Sequence, residues 1–445
     1  MRKYLLYILG GTLLATVLFF LLRKRYQPEV RGKVYIERSD QGFQLIRNGA
    51  PFKIKGASGS LTYLDRLKAS GGNTIRFYDT LNLKRKLDSA QKHGIAVIAD
   101  IPLPSYNKDY NPYATPAQRE HIDNLVRNFV TQYKDHPALL MWVLGNEINY
   151  PNIGSGGGFT KYYNDLIQIV KQTDPDHPVT TAISQAGRHL ILNLYYRSDL
   201  DLIAINSFGG VKEMEKDLKQ IELLWDGPYL ISEWNDEGPW SKEVTKWGAP
   251  LEPTSSKKAE RLAEVYKNNI SPLEDRCLGS LIFYWGYKHE RTHTWFSLFS
   301  EEGESTPSVY ALEQIFREDT SITYEGPQLD FLMLNRYGPQ ESMLLNAGQE
   351  NIADVFYNAP DCDSISISWE ILPEIWTRNP HSKRKEEKPI ALNHLILESK
   401  ENMVRFKTPE KEGPYRIFTY IKDHKGNIAT ANFPFYVINQ AHVQN

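Results

Sequence analysis

This chain of 445 residues has few cysteines and almost no net charge, and each of these features excludes a class of protein. The cysteines are Cys277 and Cys362, too few for a disulfide framework or a cysteine zinc site. We interpret them as buried free thiols, with a single bridge as the alternative. Lys and Arg total 52 against 54 Asp and Glu, so the basic surplus of a nucleic-acid binder is missing and no nucleic-acid partner is expected.

Hydrophobic residues make up 41% of the chain and charged residues 24%. This balance is typical of a globular protein and excludes a disordered, collagen-like or polytopic membrane protein.

A run of uncharged, mostly apolar residues extends from Tyr4 to Leu22. As a helix rising ~1.5 Å per residue it would be about 28 Å long, close to the hydrocarbon thickness of a bilayer. Three cations, Arg23 to Arg25, follow it, and no small-residue cleavage site is present. We therefore predict a single-pass, uncleaved transmembrane helix within residues 1–26, with a buried core helix as the alternative. Positive charge on both sides leaves the orientation open, but a polysaccharide substrate places the catalytic domain in the periplasm or outside the cell.

Between residues 27 and 319, short apolar runs alternate with amphipathic stretches. Eight such β-then-α units predict a (β/α)8 TIM barrel, because a doubly wound sheet would use fewer strands and a glycine-rich turn. The weakest helical pattern is that of the fifth connection, residues 185–196. The apolar runs are Phe52–Ala57, Thr74–Tyr78, Ala96–Ile101, Leu140–Leu144, Val179–Ala182, Leu202–Asn206, Tyr229–Glu233 and Gly279–Trp285.

Residues 320–445 have a different pattern, in which strand-like pieces are separated by Asp, Asn, Gly and Pro. This pattern predicts a small antiparallel β-sandwich, Ig-like in architecture. Asp361 and Asp363 faintly resemble the start of a calcium loop, but the glycine and glutamate of an EF-hand are absent, so we interpret them as a turn.

Barrel enzymes place catalytic groups at the C-terminal ends of their strands. Strand four ends in Asn146-Glu147 and strand seven in Glu233, so two carboxylates face the same mouth. Cleavage of a glycoside needs such a pair, one to protonate the leaving oxygen and one to attack the sugar or activate water. Further candidates, for binding substrate, are Arg76, Tyr78, Asn146, Asn206, Trp234 and Trp285.

No metal or other cofactor is expected. His289 and His293 have the i, i+4 spacing of a metal pair, but they lie in a loop without a third ligand nearby.

The segment from His136 to Glu147 (HPALLMWVLGNE) resembles the strand-four region of family 2 catalytic barrels in glycoside hydrolase clan A. Glu233 on strand seven, Arg76 on strand two and Trp285 on strand eight match further positions of that clan, over about residues 30–318. The resemblance implies a retaining mechanism with Glu147 as acid/base and Glu233 as nucleophile.

Two departures from the family pattern affect this prediction. Phe208 stands where these barrels usually have a tyrosine that contacts the nucleophile, so either Tyr78 or Tyr284 would have to supply that hydroxyl. The usual N-terminal β-domains also have no room between the anchor and the barrel.

The function predicted from sequence is that of a retaining β-glycosidase, which hydrolyses O-glycosidic bonds of a β-linked, glucan-like oligo- or polysaccharide. Transglycosylation on the same substrates, a non-catalytic carbohydrate-binding barrel, and an interaction protein that docks a partner through its sandwich remain alternatives.

Overall fold

A closed barrel of eight parallel strands lies at the centre of the protein. The computed structural model describes residues 32–104, 111–151, 157–240, 243–273, 275–359, 364–374 and 387–439. The barrel strands are β4 (Ile54–Gly59), β5 (Thr74–Phe77), β6 (Ala96–Ile101), β7 (Leu139–Asn146), β8 (Val179–Ser184), β9 (Ile203–Asn206), β10 (Tyr229–Trp234) and β11 (Cys277–Trp285). They pair in chain order, and β11 closes the barrel on β4. The predicted (β/α)8 architecture is confirmed.

One helix follows each barrel strand. The helices are α1 (Leu64–Ala69), α2 (Leu83–Lys92), α3 (Pro116–Tyr133), α4 (Gly157–Thr173), α5 (Arg188–Arg197), α6 (Val211–Ile221), α7 (Ser255–Val265) and α8 (Pro307–Arg317). Helix α3 begins with a reciprocal capping box between Thr115 and Gln118, which satisfies two free N–H groups of its first turn. The weakly patterned fifth connection is helix α5. Its polar residues are mixed among apolar ones, although Ile191 and Leu194 are fully buried.

A small sheet closes the N-terminal end of the barrel. It consists of β1 (Val34–Ser39), β2 (Gly42–Arg47) and β3 (Ala50–Pro51). Val34, Phe43 and Leu45 belong to one buried cluster with residues near the starts of the barrel strands. Because this end is sealed by apolar packing, the opposite end is the open one.

The C-terminal region forms two four-stranded sheets that share one hydrophobic core. One sheet has the order β12 (Gln328–Leu334), β14 (Glu350–Asn358), β17 (Met403–Lys407) and β16 (Ile396–Lys400). The other has the order β13 (Leu344–Asn346), β19 (Ile428–Ile438), β18 (Gly413–Asp423) and β15 (Ile365–Pro373). The expectation of purely antiparallel pairing was wrong at one place: the short β13 runs parallel to β19.

The barrel and the sandwich meet through buried polar contacts. The Ser255 hydroxyl, at the start of α7, accepts a hydrogen bond from the Thr430 N–H at 2.8 Å. Glu252 accepts hydrogen bonds from Asn432 at 2.7 Å and Thr292 at 2.6 Å, and it also contacts Lys258. Burial opposes the ionisation of Glu252, but the positive charges nearby outweigh it and the pKa of Glu252 is lowered. We call Glu252, Lys258, Thr292 and Asn432 the Glu252 cluster.

Several sequence-based predictions fall outside the described residues. These are the anchor within residues 1–26, the second cysteine, Cys362, and the turn at Asp361 and Asp363. Within the described ranges no helix is long and apolar enough to cross a membrane. Cys277 is a buried free thiol. The predicted boundary at residues 319 and 320 lies between the end of α8 and the start of β12.

Candidate active site

Arg76 lies at the centre of a polar network inside the C-terminal end of the barrel. Its side chain is fully buried, and it donates two parallel hydrogen bonds to Asp100, from Nε at 2.9 Å and from Nη2 at 2.8 Å. A fork-to-fork pair of this kind fixes the plane of the guanidinium group. Burial opposes the charge on Arg76, but Asp100 raises the pKa of Arg76 above its ordinary value. A permanent positive charge is thereby held under the mouth.

The same guanidinium reaches the ends of three other strands. Nη1 lies 3.2 Å from Glu233 Oε1 on β10 and 3.2 Å from Asn206 Oδ1 on β9. Nη2 donates to Asn146 Oδ1 on β7 at 2.7 Å. Arg76 therefore positions three of the predicted site residues at once.

Asn206 connects the two carboxylates. Its Oδ1 accepts hydrogen bonds from Arg76 and from Ser232 Oγ, which fixes the orientation of the amide. Its Nδ2 donates to Glu147 Oε1 at 2.9 Å. Glu147 and Glu233, separated by more than 80 positions in the sequence, are thus joined through one amide and one guanidinium.

The two carboxylates have different surroundings. Glu233 is 6% exposed, whereas Glu147 is exposed at the mouth. Burial raises the pKa of Glu233 to about 7; Arg76 opposes this rise, and the negative charge of Glu147 adds to it. The buried carboxylate is held in one place, while the exposed one faces the open mouth.

The backbone before Glu147 departs from a regular strand. Gly145 has φ +81° and Glu147 φ +49°, and the pairing with β8 shifts register between Val143 and Asn146. A Cβ atom at Gly145 would lie 2.7 Å from Cγ2 of Ile148, so glycine is required for both conformation and space. The left-handed conformation of Glu147 is an uncommon one that is found at functional sites.

The mouth above these residues is a cavity of about 970 Å³, large enough for several sugar rings. Among its described lining residues one lysine, Lys288, faces several carboxylates, and its Nζ lies 2.8 Å from Glu290 Oε2. Carboxylates therefore outnumber lysines among the described lining residues. The carboxylates are those of Glu147, Glu233, Glu237, Glu243 and Glu290.

The two tryptophans predicted to bind sugar are not in the mouth. Trp285 has no exposed surface, donates from Nε1 to the Tyr63 carbonyl at 2.9 Å and packs on Phe299. Trp234 is also fully buried and packs on Tyr266. Neither ring presents a face to a ligand, which corrects the assignment of both as sugar platforms. They are part of the barrel core.

A different tryptophan, Trp240 in the loop after β10, lies in the mouth. It lines the mouth, is 53% exposed and contacts Phe208 edge-to-face at 5.4 Å. Phe208 in turn packs on Phe283 and Phe296. A solvent-facing indole on an aromatic base suits stacking on a sugar ring. No periodic signal marks a loop residue of this kind, so the sequence could not single it out.

Tyr78 and Tyr284 were the open alternatives for the hydroxyl that Phe208 lacks. Both line the mouth. Burial and the charge of Glu233 raise the pKa of Tyr78, whereas burial and the charge of Asp79 raise the pKa of Tyr284. The hydroxyl of Tyr78 is buried and lies close enough to Glu233 to lower the pKa of that carboxyl. Tyr78 is therefore the hydroxyl available beside Glu233.

Asp100, which holds Arg76, is another site residue that the sequence prediction did not include. The signal for it in the sequence was its position near the C-terminal end of β6, where it is the one carboxylate among apolar residues. The described residues contain no group of three or more potential metal ligands, and His289 and His293 stack on each other at 6.3 Å.

The fold and this mouth define a class: a TIM barrel with a carboxylate pair on strands four and seven, held over a buried arginine. Residues 63–241 match the family model described as "Glycosyl hydrolases family 2, TIM barrel domain". This stretch, which is less than half of the chain, is therefore similar to the catalytic barrel of that family.

Curated relatives match part of the chain. A β-glucuronidase of Streptococcus agalactiae serotype V is 25% identical over 213 residues, which are 44% of this chain and 33% of that protein. A β-glucuronidase of Paenibacillus borealis is 25% identical over 121 residues, 26% of this chain and 20% of that protein. The chain thus spans a third or less of the length of these relatives.

Solved structures give similar matches. A Bacteroides uniformis β-glucuronidase superposes with a TM-score of 0.48 at 15% identity, over 91% of this chain and 48% of that one. An endo-β-1,4-mannanase of Thermotoga petrophila superposes with a TM-score of 0.41 at 12% identity, over 88% and 99% of the two chains.

Proposed function

We propose that the protein is a retaining β-glycosidase that hydrolyses a β-linked, glucan-like polysaccharide. The observation that carries this proposal is the pairing of a buried carboxylate, Glu233, with an exposed one, Glu147, through Arg76 and Asn206. Glu233 is the nucleophile, because Arg76 and the surrounding strands fix its position. Glu147 is the acid/base, because the leaving group and the incoming water both arrive from the open side.

The reaction proceeds by double displacement. Glu147 gives its proton to the glycosidic oxygen while a Glu233 oxygen forms a bond to the anomeric carbon and the leaving alcohol departs. Glu147 then removes a proton from water, which attacks the same carbon and releases Glu233. Asn146, held by Arg76 at 2.7 Å, is placed to bind the sugar 2-hydroxyl.

The charge of the mouth supports a neutral sugar over a uronic acid. A glucuronide would add a carboxylate to a lining that already holds Glu237, Glu243 and Glu290. The lysines beside them are engaged, Lys288 with Glu290 at 2.8 Å and Lys212 with Glu237 at 3.7 Å. Like charges placed together in a partly dry site repel one another. The substrate class of the similar β-glucuronidases is therefore not carried over to this chain.

The test compares p-nitrophenyl β-D-glucoside with p-nitrophenyl β-D-glucuronide at matched concentrations. We expect turnover of the glucoside, loss of that turnover in Glu233→Gln, and at least tenfold lower kcat/KM for the glucuronide. Preference for the glucuronide would overturn the substrate class. Turnover of neither by the intact chain, in this assay or with β-glucan oligosaccharides, would favour a non-catalytic carbohydrate-binding barrel.

Transglycosylation is a second candidate that one observation favours. The 53% exposed ring of Trp240 at the rim can hold an acceptor sugar while the glycosyl-enzyme persists. Product analysis with β-glucan oligosaccharides separates the two reactions, since hydrolysis yields shorter products alone and transfer also yields longer ones. Trp240→Ala should reduce the longer products more than the shorter ones.

Our proposal also includes location. The apolar run from Tyr4 to Leu22 would anchor the chain in a membrane, with the barrel in the periplasm or outside the cell, where a polysaccharide is met.

A further inference from the structure

A second cavity, of about 270 Å³, lies between the barrel and the sandwich. One wall is the loop after β11, including Tyr287, His293 and Ser297, and the other is the sheet surface formed by β15 and β18, including Ser368 and Tyr420. Its volume is near the lower end of the range for ligand pockets, about 300–1,000 Å³. It suits one sugar ring rather than a chain of rings.

A chain of hydrogen bonds orders one side of this cavity. Tyr420 donates its hydroxyl proton to Glu370 Oε2 at 2.6 Å, and His293 Nε2 lies 2.7 Å from the same hydroxyl oxygen. Because that proton is already given to Glu370, Nε2 must carry the hydrogen and donate it. Nδ1 of His293 is then an acceptor.

That acceptor is unsatisfied. His293 is 4% exposed, and its Nδ1 has no hydrogen-bond partner among the residues that the structure describes. Burial lowers the pKa of His293 to about 3, with Lys388 adding to the effect, so the ring stays neutral. With Nε2 bonded to Tyr420 and the ring neutral, His293 is a fixed, uncharged part of the cavity wall.

The charges around the cavity are paired with one another. Lys388 Nζ lies 2.9 Å from Glu370 Oε1, and Lys422 Nζ lies 2.8 Å from Glu304 Oε1. Lys422 also pairs with Glu302, and Glu301 adds further negative charge to the lining. A phosphate or another anion would therefore have to compete with carboxylates for both lysines, whereas a neutral ligand keeps the ion pairs intact.

We propose that this cavity is a second saccharide-binding site, which takes one neutral sugar unit of a glucan through its hydroxyl groups. Two part-exposed aromatic side chains, Tyr287 and Tyr420, one from each wall, supply the apolar surface against which a sugar ring packs. The choice of a glucan rests on the proposed function, but the existence of the site does not require catalysis.

One loop lines both sites. Lys288 and Glu290 line the catalytic mouth, and Tyr287 and His293 line the second cavity. Ser297 Oγ accepts a hydrogen bond from the Lys288 N–H at 2.9 Å and donates to the His293 carbonyl at 2.7 Å, which ties the two parts of the loop together. A polysaccharide held at the second site is thereby kept beside the mouth.

The test is isothermal titration of the full chain carrying Glu233→Gln, which prevents turnover, with cellotriose and laminaritriose as probes. Ser368→Trp, at an exposed position of β15 on the cavity wall, should fill the cavity and remove one binding event. Ser366→Trp is the matched control, exposed on the same strand two residues away and outside the lining, and should bind as the parent does.

Binding that Ser368→Trp removes and Ser366→Trp retains supports the site, whatever occurs at the mouth. Identical isotherms for the parent and Ser368→Trp with both probes overturn it. Glucoside turnover by the wild-type chain is scored separately, so failure of the proposed function is distinguishable from failure of this site.

Discussion

The buried carboxylate of Glu233 should make the protein less stable as the pH rises, and Glu233→Gln should remove this dependence. The pKa of Glu233 is raised from 4.5 to about 7 by burial, so the folded state holds a proton that the unfolded state has already released. Between those two pH values folding takes up protons, and the free energy of unfolding falls with rising pH. At about 1.4 kcal/mol per unit of pKa, most of the loss, about 2–3 kcal/mol, falls between pH 5 and pH 8.

The assay is urea unfolding of the wild type and Glu233→Gln at several pH values from 5 to 8. The glutamine variant, which cannot ionise, should gain about 2–3 kcal/mol over the wild type across this range. Glu243→Gln is the control, because Glu243 lines the same mouth but is exposed. A stability difference between wild type and Glu233→Gln that is constant with pH, or that changes in the opposite direction, would refute the reasoning.

Four further predictions concern catalysis and location. Glu233→Ala should abolish turnover, and azide or formate should partly restore it with inversion at the anomeric carbon, because a small anion can occupy the space left by the nucleophile. Chromatography of the glycosyl azide checks this rescue, and wild-type activity of the variant would exclude Glu233 as the nucleophile. The acidic limb of kcat/KM should lie near pH 7, where Glu233 ionises; a limb near 4.5, the ordinary pKa of a glutamate, would contradict the raised pKa of Glu233. Gly145→Ala should lower kcat at least tenfold and stability by about 1–2 kcal/mol, since φ +81° and the contact with Ile148 both oppose a Cβ; steady-state kinetics and urea unfolding measure the two effects. Protease added to spheroplasts should digest the barrel and leave a short N-terminal stub, whereas protection until lysis would place the barrel in the cytoplasm.

Much of the barrel was predictable because its signal is repeated. A single apolar run such as Ala96–Ile101 fits a strand or a buried helix, but eight such runs separated by amphipathic stretches fit one closed sheet. The ends of those strands then identified Arg76, Asn146, Glu147, Asn206 and Glu233, since the fold sends those ends to one mouth. The structure brings these five into one hydrogen-bonded network.

The aromatic residues were harder to place from sequence, for a physical reason. Side chains alternate across a strand, but β10 and β11 pair with register shifts between Ile231 and Trp234, so residue counting does not give the side on which Trp234 or Trp285 lies. Trp240 lies in a loop without periodicity. The parallel pairing of β13 has a related cause, because three residues carry too little pattern to define a partner.

The Glu252 cluster limits how this protein can be divided into separate domains. Its members come from both sides of the boundary at residue 320, and they include a buried carboxylate whose hydrogen bonds come partly from Asn432 of the sandwich. Cutting the chain at that boundary would expose Glu252 to water and remove one of its hydrogen-bond donors. It would also expose the surface of α7 where Ser255 and Ser256 accept hydrogen bonds from N–H groups of the sandwich. A loop connects the barrel and the sandwich in the chain, but their contact surface is packed like the interior of one domain. The unit that can be moved intact to another protein is therefore the barrel together with the sandwich.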